Sequence, residues 1–242
     1  MARIIDLTAE LEPSAPDYLA NPEKYLPPHI LASGPPVLMR TEIYPIWVPN
    51  WESKNQMDRR RVHKLECMLH AYTHSEAPAH LVKGGKFIHE YPIEHWVAKA
   101  CVMNFADKRP GSKITPEDLE KQWVEGCEAL IVRTDWQKRK GGKGFDYTII
   151  DDEMSPKYTM EAMNWIIAKK PKLYLEDQDC CPRPPGKGYM FEADICHVMN
   201  AINIDQINKK VVTLIALPLK LRKTTAGEGV EATPTRAIAI EE

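Results

Sequence analysis

Three histidines and a carboxylate lie close together in a chain of 242 residues that has only eight histidines. The stretch reads His70-Ala-Tyr-Thr-His74-Ser-Glu76-Ala-Pro78-Ala-His80. Imidazoles four residues apart meet on one face of a helical turn, and a carboxylate two residues further on reaches the same point if the chain bends. His70, His74 and Glu76 are therefore predicted to hold a divalent ion. Three protein ligands leave coordination positions open, which is typical of a catalytic site.

Pro78 sets the conformation of this stretch. It excludes a regular helix through the stretch and favours an extended conformation at Ala77. We expect the chain to leave a strand near Leu69 and then to make a compact turn. The stretch differs from the HEXXH motif of metalloproteases, because Ala71 rather than a glutamate follows the first histidine.

Short β-branched or alternating segments predict strands, and capping patterns between them predict helices. The strands are expected at Arg3–Thr8, Val37–Ile46, Val62–Tyr72, Ala100–Phe105, Ala129–Thr134, Lys172–Glu176, Val211–Leu217 and Arg236–Ile240. One helix should begin at Thr115 and run to about Gly126, and another should begin at Ser155 or Thr159 and end before Pro171. Three segments are predicted to be irregular loops: Pro13–Pro36, Gln137–Gly144 and Pro182–Gly188. Strands mixed with helices indicate an α/β or α+β domain.

Composition narrows the class of protein. A formal net charge of −2 gives no basic surplus for nucleic acid or for an anionic membrane. The longest apolar segment, Val211–Leu219, is too short to span a bilayer, and the N-terminus lacks the pattern of a signal peptide. The six cysteines form no CxxC pair, which favours reduced thiols in a cytoplasmic protein.

The His70–His80 stretch resembles the HxGTHxDxPxH motif of the cyclase family of metal-dependent hydrolases, which includes kynurenine formamidases and isatin hydrolases. The resemblance extends over nearly the whole chain. Further segments that resemble the family are Ile4–Thr8, Pro156–Trp165, Asn203–Asp205, Leu214–Leu221 and Pro234–Ala239. The resemblance to this family implies one α/β domain over residues 1–242, with a swivelling β/β/α fold that has a barrel-like mixed sheet and flanking helices. It also implies a dimer or tetramer.

The resemblance further implies hydrolysis of an amide, cyclic amide or ester bond in a small molecule. His70, His74 and Glu76 would then bind Mn²⁺ or Zn²⁺, and His80 would transfer protons. Two positions depart from the family motif, since Tyr72 replaces its glycine and Glu76 replaces its aspartate. Lys187 and Met199 stand where dinuclear members have a second pair of ligands, and neither side chain suits these ions. We therefore predict one ion, with His197 as a less favoured means of rebuilding a second site.

The sequence gives only weak indications of which residues would contact a substrate. Trp47 lies in an aromatic segment that would either line a pocket for a flat ring or pack at a dimer interface. Trp136 is a pocket candidate by resemblance, with core packing as the alternative, and Tyr72 would add bulk beside the ion. Two other functions stay open, namely a non-catalytic protein that binds small molecules and a metal-dependent lyase or cyclising enzyme.

Overall fold

The computed structural model describes residues 2–12, 21, 41–49, 59–139, 154–182, 186–225 and 227–242. Contacts within the chain divide it into two compact units. One unit comprises Met1–Ala9 together with Tyr72–Glu242, and the other comprises Glu10–Ala71. The single domain expected over residues 1–242 stays a prediction.

The Glu10–Ala71 unit contains an antiparallel hairpin. Strand β2 (Thr41–Pro49) pairs with strand β3 (Arg59–Cys67), and the register places Thr41 opposite Cys67. The expected strand start at Val37 lies outside the described residues. The expectation that β3 continues to Tyr72 is wrong, because the chain turns after Cys67 and Tyr72 has a φ of 53°.

Most strands of the larger unit form a closed sheet. Seven strands pair in the order β12-β11-β5-β7-β9-β10-β4, and β4 closes the ring by pairing with β12. Strand β1 pairs with the C-terminal part of β12, from Ile238 to Glu241, and β6 and β8 form a separate pair. The bounds are β1 Arg3–Asp6, β4 His74–Glu76, β5 Val97–Asn104, β6 Lys113–Ile114, β7 Ala129–Arg133, β8 Lys157–Tyr158, β9 Leu173–Glu176, β10 Cys196–Met199, β11 Val211–Pro218 and β12 Ala232–Glu241. The predicted α/β class with a barrel-like mixed sheet is confirmed.

Four α-helices lie in the described part of this unit: α1 Pro116–Glu120, α2 Trp136–Arg139, α3 Met160–Lys169 and α4 Gly186–Glu192. Thr115 and Thr159 cap α1 and α3 as their sequences predict. Helix α1 ends well before Gly126, because the next amides bond back to Leu119 as turns. The loop predicted over Pro182–Gly188 is wrong at its end, where α4 begins. Short 3₁₀ helices span Pro78–His80, Ile88–Glu90, Ile93–Trp96 and Ile204–Gln206.

Successive strand residues point to opposite faces of the sheet, and each face has its own core. Ala100, Ile131 and Leu175 belong to the core on one face. Leu130 and Tyr174 belong to the core on the other face, where the helical residues Leu119, Met163 and Ile166 also pack. The alternation that predicted the strands therefore also determines which side of each strand meets the helices. Within the described ranges, no helix has the length and apolar character needed to cross a bilayer.

Candidate metal centre

Strand β4 positions two of the predicted ligands. His74 and Glu76 are two residues apart on an extended segment, so their side chains point to the same face of the sheet. Both are buried, with exposures of 4% and 3%. β4 lies between β10 and β12, where Glu76 is opposite His197 on one side and Ala232 on the other. A strand, rather than the helical turn suggested by the spacing of the histidines, brings His74 and Glu76 together.

The backbone at Tyr72 orients the His74 ring. Tyr72 has a φ of 53°, in the left-handed region that few residues other than glycine adopt. This conformation accompanies a 2.8 Å hydrogen bond between the Tyr72 carbonyl oxygen and His74 Nδ1. Asn200 Nδ2 donates to the same oxygen at 3.1 Å. Because a carbonyl oxygen can only accept, Nδ1 of His74 carries the proton and Nε2 presents its lone pair in the neutral ring.

The donor atoms of His74 and Glu76 converge in a way that suits a cation. Nε2 of His74 lies 3.2 Å from Oε1 of Glu76. In the neutral histidine these are two acceptors facing each other, and a proton on the ring or a bound cation would satisfy both. A neutral imidazole nitrogen and a carboxylate oxygen are ordinary ligands of Zn²⁺ and Mn²⁺. The residues present therefore fit a divalent ion.

The three predicted metal ligands lie in one continuous stretch of the chain, from His70 to Glu76. Within the larger unit, His74 and Glu76 each offer one ligand atom, and these two atoms lie within 4.8 Å of each other. His70 occupies the turn that follows β3, as expected from the sequence. The assignment of these residues as the ligands of an ion stays a prediction.

His80 follows Glu76 by one short turn. Ala77 is extended, and Pro78 is the first residue of the 3₁₀ helix that ends at His80, in agreement with the effect expected of Pro78. Nε2 of His80 lies 4.0 Å from Oε1 of Glu76, and its side chain is 30% exposed. The ring meets Phe191 edge-on, with centroids 6.1 Å apart. His80 is thus close to the convergent ligand atoms and still open to solvent, as a proton-transfer group requires.

Gly85 allows the His80 turn to pack closely. A Cβ atom at residue 85 would lie 2.7 Å from the Pro78 carbonyl carbon and 2.8 Å from the Ala79 nitrogen. Backbone atoms cannot move aside cheaply, so Gly85→Ala is expected to lower the free energy of unfolding by about 1–3 kcal/mol. Urea denaturation measures this change. Gly188→Ala is the control, since no atom lies within 4 Å of its Cβ position. Equal loss of stability in both variants would contradict the packing argument.

Lys187 on α4 forms an ion pair with the second oxygen of Glu76, Oε2. The lysine side chain is 16% exposed and the glutamate side chain 4%. Burial acts to lower the pKa of Lys187, but the carboxylates of Glu76 and Asp179 outweigh it and raise this pKa above its usual value. Lys187 is therefore a fixed cation beside the predicted ligands. The sequence marked this residue only as an unsuitable ligand.

Two further residues lie near these groups, His197 opposite Glu76 and Glu231 beside His80. His197 is fully buried between the rings of Tyr174 and Phe191, and in the described part of the chain neither of its ring nitrogens has a hydrogen-bond partner. Burial, followed by the charge of Lys187, lowers the pKa of His197 to about 3, so its ring is neutral. Glu231 and His80 belong to a second group of side chains with ligand atoms within 4.8 Å. Sequence reasoning missed Glu231, which no local pattern distinguishes.

The remaining predicted site residues have different positions. Met199 is opposite His74 on β10 and is buried. Trp136 begins α2 and is only 2% exposed, which weighs toward its role in packing. Trp47 lies on β2, but its side chain is outside the described part of the structure. Contacts of Tyr72, Trp47 and Trp136 with a substrate stay predictions.

A closed mixed sheet that carries a histidine and a glutamate on one short strand defines an α/β protein with a candidate metal centre. Residues 5–178 match the model of a family described as putative cyclase, and the chain therefore belongs to the cyclase family.

Several named proteins resemble the chain in sequence. The kynurenine formamidase of Bacillus thuringiensis (strain Al Hakam) is 25% identical over 191 residues, which cover 77% of this chain and 83% of the relative. The isatin hydrolase of Roseibium aggregatum is 24% identical over 195 residues, which cover 71% of each chain.

Solved structures share the fold. An isatin hydrolase bound to the product analogue thioisatinate superposes with a TM-score of 0.71 and 22% identity, covering 99% of this chain and 92% of the other. A potential metal-dependent hydrolase with cyclase activity gives a TM-score of 0.66 and 16% identity, with coverage of 100% and 99%. These structures support the fold that the family resemblance implied.

Proposed function

We propose that the chain is a metal-dependent hydrolase that cleaves an amide, cyclic amide or ester bond in a small, ring-containing molecule. The observation that carries this proposal is the convergence of two buried ligand atoms on β4, where Nε2 of His74 lies 3.2 Å from Oε1 of Glu76. The class of reaction is supported by the named relatives, a kynurenine formamidase and an isatin hydrolase. We further propose that one ion, Mn²⁺ or Zn²⁺, is bound per chain.

A divalent ion at this place supplies Lewis-acid activation of water and of a carbonyl group. The chain supplies the rest. His74 is held in one tautomer by the Tyr72 carbonyl, and Glu76 is held by β4 and by Lys187. His80 accepts the proton that the attacking water loses, and returns it to the leaving nitrogen or oxygen. Its partial exposure lets the ring exchange that proton with solvent.

Metal uptake by ligand variants tests the first part of the proposal. We expect His74→Ala to weaken Mn²⁺ and Zn²⁺ binding by more than about 100-fold, since even partners that only orient a ligand contribute 10- to 100-fold. Equilibrium dialysis of the chelator-treated protein against each ion measures this affinity. His89→Ala is the control, because His89 is exposed on the neighbouring 3₁₀ helix. Unchanged ion binding by His74→Ala would refute the assignment of His74 as a ligand.

A substrate screen in ¹⁸O-labelled water tests the second part. Formanilides, isatins, lactones and cyclic imides should be offered to the protein loaded with Mn²⁺ or with Zn²⁺. Incorporation of ¹⁸O into a product identifies hydrolysis. Turnover without ¹⁸O would favour a lyase or cyclising enzyme, and a protein that takes up no ion and turns over none of these compounds would favour a non-catalytic binding function.

A cytoplasmic dimer or tetramer that acts on a small molecule is part of the same proposal. It is supported only by the family resemblance and by the composition of the chain. Light scattering after size-exclusion chromatography would measure the mass of the assembly, and a monomer at micromolar concentration would refute this part.

A further inference from the structure

Lys187 contacts one of the two oxygens of the Glu76 carboxylate and makes their surroundings different. Its Nζ atom pairs with Oε2, whereas Oε1 faces Nε2 of His74 at 3.2 Å and Nε2 of His80 at 4.0 Å. One oxygen is thus engaged by a fixed cation and the other points toward the histidines. Helix α4 fixes the position of this lysine, whose ammonium also lies 5.9 Å from the centroid of the Phe191 ring.

The largely buried ion pair between Lys187 and Glu76 has two effects, one due to its burial and one due to the charge of the lysine. A lysine removed from water is stable only when it is well paired, so the contact with Glu76 is expected to persist rather than exchange with solvent. A positive charge beside a ligand also opposes the binding of any other cation. Lys187 therefore affects both the geometry of Glu76 and the net charge that an ion meets.

We propose that Lys187 is a positioning residue that leaves Glu76 only one oxygen, Oε1, for an ion. This inference rests on the proposed function. A carboxylate restricted to one oxygen suits a small ion such as Zn²⁺, whereas Ca²⁺ takes six to eight oxygen ligands and often uses both oxygens of a carboxylate. Lys187 thus lowers the affinity for all divalent ions and disfavours Ca²⁺ in particular.

Lys187→Met tests this role because methionine is similar in length and carries no charge. Loss of the charge should tighten Zn²⁺ and Mn²⁺ binding by about tenfold or more. Release of Oε2 should tighten Ca²⁺ binding further, so that the ratio of the Ca²⁺ to the Zn²⁺ dissociation constant falls. Titration calorimetry of the chelator-treated full chain with each ion alone measures both quantities.

Further variants separate positioning from simple folding. Lys187→Arg keeps the cation and should restore the ion affinities and the Ca²⁺/Zn²⁺ ratio of the unaltered protein. Lys187→Leu, which removes both the charge and the donor, serves as the uncharged variant in case Lys187→Met does not fold. Lys86→Met removes a lysine from a solvent-exposed pair with Asp194 and should change neither quantity. A merely structural role would change thermal stability without changing the ratio.

The outcomes distinguish this inference from the proposed function. If the unaltered protein binds none of these ions, the proposed function fails. If it binds them and the uncharged variants bind them equally or more weakly, the inference about Lys187 is overturned. Tighter binding with an unchanged Ca²⁺/Zn²⁺ ratio would overturn the positioning role as well.

Discussion

Replacing His80 by alanine is expected to lower kcat by about 10²- to 10⁴-fold while the protein retains its ion. The reason is geometric. Nε2 of His80 lies near Oε1 of Glu76, at 4.0 Å, yet the ring is half-buried and open to solvent, unlike the buried ring of His74. A residue in this position can move a proton without being needed to hold the ion.

The experiment compares two quantities for the same variant. Steady-state kinetics on whichever substrate the screen identifies gives kcat, and elemental analysis of the dialysed protein gives ions per chain. His89→Ala again serves as the control for the loss of one imidazole. If His80→Ala loses its ion together with its activity, His80 is a ligand, and if it keeps full turnover, His80 has no part in the reaction.

Replacing Glu176 by glutamine is expected to change the free energy of unfolding in a way that depends on pH. Relative to the unaltered protein, the variant should be more stable at pH 8 than it is at pH 5, by a few kcal/mol. Glu176 ends β9 and is completely buried. Its Oε2 atom accepts hydrogen bonds from the Tyr174 hydroxyl at 2.6 Å and from the Cys180 amide at 3.1 Å. Burial, followed by the nearby Asp179 carboxylate, raises the pKa of Glu176 from 4.5 to about 8.

The sign of the pH dependence follows from proton binding. Below about pH 4.5 the carboxyl is protonated in both the folded and the unfolded chain, so its contribution to stability is fully present. As the pH rises toward 8, the unfolded chain releases the proton while the folded chain holds it, and stability is lost. Each pKa unit corresponds to about 1.4 kcal/mol. Glutamine keeps the acceptor oxygen and removes the titration.

Urea denaturation of both proteins at pH 5 and pH 8, after the same chelator treatment, measures the difference. Other titrating groups are shared by the two proteins and cancel in the comparison. Glu192→Gln, an exposed acid on α4, controls for the loss of one carboxyl group. The difference in free energy of unfolding between Glu176→Gln and the unaltered protein should therefore depend on pH. If this difference is the same at pH 5 and at pH 8, Glu176 does not titrate as its burial requires.

Much of the sheet could be predicted because its strands carry their own signals. The segments that became β5, β7, β9 and β11 are β-branched or alternate between two buried faces, and burial supplies the energy that fixes them. Thr115 and Thr159 identify helix starts because their hydroxyls satisfy amides within the same turn. These interactions are local, so a single segment of sequence contains them.

The candidate metal centre was only partly predictable. The clustering of His70, His74, Glu76 and His80 is visible in the chain itself, as is the extended conformation that Pro78 imposes on Ala77. The strand β4 was not predicted, because three residues are too few for a pattern. They become a strand only through pairing with β10 and β12, which lie far away in sequence.

The sequence by itself determined which groups are available for chemistry, since residue types and short spacings are properties of one continuous stretch. The tertiary structure alone decided what surrounds them. It brings Lys187 onto one oxygen of Glu76, buries His197 opposite the same residue, and places Glu231 beside His80. A buried charge is stable only beside a partner, and helix α4, rather than any pattern local to the His70–His80 stretch, supplies that partner from a distant part of the chain.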